Sequence, residues 1–94
     1  MNVDVEIYMS NIIKFFKTNP NDLINLVPKE KEDEFYQKIR EAATNNIDNG
    51  EDVTLTQKQM IGICLTLNNK KSDEDKKEVN KIVMETKFGS IFLN

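Results

Sequence analysis

Histidine and tryptophan are missing from this chain, and cysteine and arginine occur once each. Without histidine the commonest general base is gone, and with it the usual partner of a serine or cysteine nucleophile. One cysteine excludes an intrachain disulfide and, in the absence of histidine, a zinc site. Three glycines and two prolines are too few for a phosphate-cradling loop, a loop-rich protein or a fibrous one. The longest apolar run falls far short of the roughly 18 residues a membrane span needs. The N-terminus lacks the basic start and apolar stretch of a signal peptide. Together these absences point to a cytoplasmic protein that is not an enzyme, carries no cofactor or metal and does not enter a membrane.

What is present suits one small domain over residues 1–94. Hydrophobic residues make up 38% and charged residues 31% of the chain, a balance that supports a folded core rather than disorder. Net charge is −3, with twelve lysines beside the lone Arg40. Proteins that read duplex DNA gather Lys and Arg on one face and use Arg for bidentate base contacts, so this balance argues against nucleic acid. Residues 29–52 carry a net −4 and residues 53–71 a net +3. The twelve asparagines and ten isoleucines, like the lysines, have AT-rich codons, so their abundance needs no functional reason.

Turn and cap signals divide the chain into about five helices. Val5, Tyr8, Met9, Ile12, Phe15 and Phe16 form one helical stripe, which predicts a helix over 5–17 with Asp4 as its N-cap. The alternation of Val3, Val5 and Ile7 with Asp4 and Glu6 leaves a short strand at 2–7 as the alternative. Asn19 suits an N-cap and Pro20 a first helical position, opening a helix over 20–27 that Pro28 ends. A third helix reads from about 29 to 48 through Phe35, Tyr36, Ile39, Ala42, Ala43 and Ile47. Gly50 follows it as a left-handed C-cap beside Asn49. Thr56 and Gln59 match a capping box. The helix they open, 57–68, is apolar almost all round, which predicts a central, buried position. Within it Gly62 would let another helix approach closely. Ser72 and Asp75 repeat the capping pattern before a last helix over about 73–86, with Val79, Ile82, Val83 and Thr86 in its stripe. The expected fold is all-α, followed by an apolar tail over 88–94.

Few constellations carry chemistry. Cys64 lies in the most apolar helix, where a thiol behaves as a small hydrophobe. The twelve residues 48–59 lie between two predicted helices as a calcium loop would, with Asp48 at position one and Asp52 at position five. Val53 stands where the sharp turn requires glycine, and Gln59 where a bidentate Glu is needed, so the loop fails as a calcium site. Residues 55–60, Leu-Thr-Gln-Lys-Gln-Met, are similar to the opening of a helix-turn-helix domain. The helix that would read DNA opens with Ser72, Asp73, Glu74 and Asp75, whose carboxylates would face phosphates.

A protein partner remains. Glu30, Glu32, Asp33 and Glu34 crowd one helix start and would suit a basic partner. Phe88, Ile91, Phe92 and Leu93 would serve as a hydrophobic peptide, as a dimer contact or as a cap on the domain's own thin core. Residues 15–23, 55–59 and 88–94 together resemble a group of small uncharacterised proteins from large tailed phages and marine metagenomes. That resemblance implies a phage or bacterial cytoplasmic setting and carries no activity or site residue. The sequence thus reads as a non-catalytic protein-interaction or regulatory domain, acting on a protein partner or as a homodimer. The alternative is a small helix-turn-helix-like DNA-binding regulator built on residues 55–85.

Overall fold

The strand-like alternation at the N-terminus has a helical origin. In the computed structural model of the protein, which describes residues 3–68 and 73–85, the first helix α1 spans Val3–Thr18. Val5 faces inward from it, while Val3 and Ile7 face out, so two exposed residues and one buried residue mimic a two-residue period. The longer stripe decides the outcome: Val5, Tyr8, Met9, Ile12 and Phe16 are buried along one face. The strand alternative is therefore corrected, and Asp4 lies in the first turn rather than before it.

Helix α2 covers Pro20–Leu26, with Pro20 at its start. Asn19 makes no side-chain cap bond to it. Asn19 holds the N-cap position of α2, its carbonyl accepting the Asp22 N–H at 3.1 Å, while its backbone N–H and Nδ2 both donate to the Phe15 carbonyl, at 2.9 and 3.0 Å, so its side chain closes α1. Val27 is extended (φ −139°, ψ 148°), as the residue before a proline tends to be. A single 3₁₀ turn, Lys29–Lys31, intervenes before α3 at Glu32–Asp48, where the sequence suggested one uninterrupted helix. Helices α4, Gln57–Asn68, and α5, Asp73–Glu85, complete an all-α globule with no strand among the described residues.

The helices close a ring. α1 packs on α3, α3 on α4, α4 on α5, α5 on α2 and α2 on α1. Phe16, Phe35, Met9, Ile12, Leu26 and Ile39 are fully buried inside it. The Phe16 and Phe35 rings meet edge-on at 5.6 Å, and Tyr36 stacks obliquely on Phe35 at 5.6 Å. α4 lies between α3 and α5 and buries Met60, Cys64 and Leu67, with Ile61, Ile63 and Leu65 half-covered on its flanks. That explains why it reads as apolar on nearly every side. Gly62 is exposed, and a Cβ there would meet nothing within 4 Å, so no helix among the described residues uses it for a close approach. On α5, Val79 and Val83 are fully buried as the stripe predicted. Ile82's side chain, Thr86, the Ser72 cap and the tail over 88–94 lie outside what is described.

Three asparagines tie the ring together. Asn68 donates from Nδ2 to the Leu26 carbonyl and, at 2.9 Å, to the Cys64 carbonyl, joining the ends of α4 and α2. Asn19 closes α1. Asn46 is the one buried polar residue among those described, only 6% exposed, and it exchanges two hydrogen bonds with Gln59 of α4 at 2.9 and 3.2 Å.

Candidate functional site

Three surface regions are candidates for a functional site, and the packing of the helices sets each of them. The first is the acidic start of α3. Glu30, Asp33 and Glu34 are exposed and Glu32 is half-buried, all within the 3₁₀ turn and the first turn of α3. Lys31 makes no side-chain cap bond, so the open N–H groups at this end favour carboxylates on their own account. Lys31 and Glu34 form an exposed pair at 3.8 Å, of little energetic weight. The carboxylates predicted as a partner site are thus brought together, interleaved with Lys29 and Lys31.

The second region is the outer face of α1, which sequence reasoning missed. Val3 is 69% exposed and Ile7 is 56% exposed, one helical turn apart. With Glu6, Ser10 and Asn11 they line an open depression of about 450 Å³. Towards the C-terminus the exposed face carries Ser10, Lys14 and Lys17. Lys14, Lys17 and Arg40 line a second shallow groove, with Met9 and Ile13, where α1 meets α3. Arg40 donates to the Glu6 carboxylate there, a half-exposed ion pair joining the two helices. The signal that could have found this face was available. Val3 and Ile7 stand off the apolar stripe, and a residue off the stripe of a packed helix faces solvent.

The third is the loop over 49–56. The Asp52 carboxylate accepts the Thr54 N–H at 2.8 Å, and that bond holds its pKa below the ordinary value. Gln59 is committed twice over. Its Oε1 accepts the Thr56 N–H at 2.9 Å, its own N–H donates to the Thr56 hydroxyl at 3.1 Å, and its amide pairs with Asn46. The capping box is thus formed as predicted, and both side chains have structural work. Among the described residues no group of three or more His, Cys, Asp or Glu side chains could hold a metal ion. Cys64 is fully buried. At the start of α5, Asp73 and Glu74 are exposed. Among the described residues no helix is long and apolar enough to cross a membrane. Of the predicted partner residues, Phe88, Ile91, Phe92 and Leu93 lie outside the described residues.

Beneath the loop, Leu55 is fully buried, and its N–H donates to the Tyr8 hydroxyl at 3.1 Å. Burial pushes the Tyr8 pKa up to about 12; the Leu55 bond opposes this and the nearby Asp52 charge adds to it. Folded Tyr8 therefore keeps its proton at pH values where the unfolded chain, near 10, has lost it. Stability from this group is complete below about pH 10 and falls as pH rises through 10–12. Tyr8→Phe should flatten that alkaline fall in Tm. At neutral pH it should cost about 1–3 kcal/mol, because the Leu55 N–H is left unpaired in the core. Urea titrations at neutral pH and at pH 11 would show both effects; an unchanged alkaline slope in the variant would refute the assignment.

Comparison with known proteins finds no matching family model, no matching curated protein and no matching solved structure.

Proposed function

We propose that the chain is a non-catalytic protein-interaction domain whose partner docks on the outer face of α1. The observation that carries this reading is the exposed aliphatic pair, Val3 and Ile7, on a helix whose opposite face is locked into the core. A flexible terminus can shed exposed apolar groups by folding them away; a helix pinned by Val5, Tyr8, Met9, Ile12 and Phe16 holds them out. Lys14 and Lys17 continue the same face, so the matching partner segment offers an apolar anchor followed by carboxylates. The resemblance to small phage proteins supports a bacterial or phage-infected cytoplasm as the setting. The acidic turn at Glu30, Glu32, Asp33 and Glu34 supports a second reading, a basic partner, on the ground that the fold gathers all four carboxylates on adjacent turns.

Site-directed photocrosslinking separates the two readings. A crosslinking residue at Ile7 should give discrete adducts in the native cell, and one at Asp33 should give none. Ile7→Lys should abolish those adducts when the crosslinker is moved to Ser10, with the melting temperature unchanged. Adducts through position 33 alone would establish the basic-partner reading instead, and adducts through neither would sink both. Light scattering over a concentration series tells a second copy of the chain from a different protein.

A further inference from the structure

We propose that Asn49 is a site of spontaneous deamidation, and that its conversion releases the junction between α3 and α4. Of the twelve asparagines, Asn49 alone is followed by glycine. Gly50 has no side chain to hinder attack by its own backbone nitrogen on the Asn49 side-chain carbonyl. Both residues are exposed, and none of the hydrogen bonds among the described residues engages the Asn49 side chain, while the Gly50 N–H has to leave the Ile47 carbonyl before its nitrogen attacks. The Gly50 nitrogen forms a bond to the Asn49 side-chain carbon and gives up its proton, and the amide C–N bond breaks, releasing ammonia and leaving a five-membered imide. Water then opens the ring at either carbonyl. One product is aspartate at position 49; the other is isoaspartate, in which the backbone runs through the β-carbon and is one carbon longer.

That extra carbon falls inside the turn that ends α3. Gly50 sits at φ +75° as the left-handed cap, its N–H donating to the Ile47 carbonyl at 3.0 Å. The Glu51 N–H donates to the Asn46 carbonyl at 2.8 Å. This pair of bonds is a Schellman motif, and its outer acceptor belongs to Asn46, whose side chain clasps Gln59 across the α3–α4 contact. A longer backbone between Asn49 and Gly50 cannot keep both bonds in register, so the modification acts on the Asn46–Gln59 clasp between α3 and α4. It also adds one negative charge to a chain of net −3.

The test ages the full native chain in mildly alkaline buffer at physiological temperature and follows it by isoelectric focusing and peptide mapping. The expected result is an acidic species with isoaspartate mapped to position 49 ahead of every other asparagine, absent from Asn49→Gln. Once separated, that species should melt below the unmodified protein from the same sample. Two results would overturn the proposal. In one, the native chain keeps its amide while the urea-unfolded chain loses it, so that the folded turn protects the site. In the other, the modified species melts together with the unmodified one.

Discussion

Phe35→Ala should lower the melting temperature by roughly 15–30 °C and leave a large fraction of the protein unfolded at physiological temperature. Phe35 is fully buried at the crossing of α1 and α3, with the Phe16 and Tyr36 rings both 5.6 Å away. Truncating a buried Phe costs about 3–5 kcal/mol through lost transfer energy and the cavity left behind. A chain of 94 residues has roughly 5–14 kcal/mol of stability in total at the usual value per residue. Five helices around one core offer little slack to refill the hole, because Phe16 is already held against Phe35, Tyr36 and Phe15. Ile24→Ala is the control: Ile24 is 67% exposed on α2, so its loss should change little. Thermal and urea unfolding followed by circular dichroism measure both variants. A melting temperature for Phe35→Ala within a few degrees of wild type would mean that the aromatic cluster is not the centre of the fold.

That core was largely legible beforehand because its signals are local. Phe35, Ile39 and Ala43 recur at helical spacing, and all three are buried. Gly50 and the Thr56–Gln59 box are chemical requirements at fixed offsets, and the structure satisfies both. What escaped depends on residues far apart in sequence. Asn46 falls on the same stripe, three positions after Ala43, but no local pattern names its partner, because Gln59 is thirteen positions away. Leu55 lies in a loop, so periodicity gave no reason to bury it; the Tyr8 hydroxyl, 47 positions away, accounts for its backbone. Asn19 serves both helices: it stands at the N-cap of α2, as its place before Pro20 suggested, but its side chain turns back to the Phe15 carbonyl of α1. The surface was read less well than the core. Charge runs are visible in any sequence, so the acidic turn stood out. Exposed aliphatics become visible only once the direction of the helix is known, and Val3 and Ile7 were hidden by the alternation they create with Val5.

Gln59→Ala should destabilise the protein by about 2–4 kcal/mol, more than Asn46→Ala at about 1–3 kcal/mol, although both remove the same side-chain pair. The asymmetry follows from geometry. Removing Asn46 leaves the Gln59 amide without its buried partner, but Oε1 still accepts from Thr56 at 2.9 Å. Removing Gln59 strands the Asn46 amide, itself only 6% exposed, and also takes the acceptor from the Thr56 N–H, so that half of the capping box at the N-terminus of α4 is lost while the Thr56 hydroxyl still caps residue 59. Gln59→Glu separates the two losses, because a carboxylate keeps the acceptor for Thr56 and loses the donor to the Asn46 Oδ1. It should fall between Gln59→Ala and wild type. The double variant should cost less than the sum of the single ones, with a coupling of roughly 0.5–3 kcal/mol, since the second truncation removes a group already unpaired. Urea unfolding of the four proteins at matched slopes gives that coupling directly. Strict additivity would mean that water satisfies both amides and that the clasp is incidental. A measured coupling would make Asn46 and Gln59 the point at which the end of α3 and the beginning of α4 are held in register, and any change to the intervening turn would act through them.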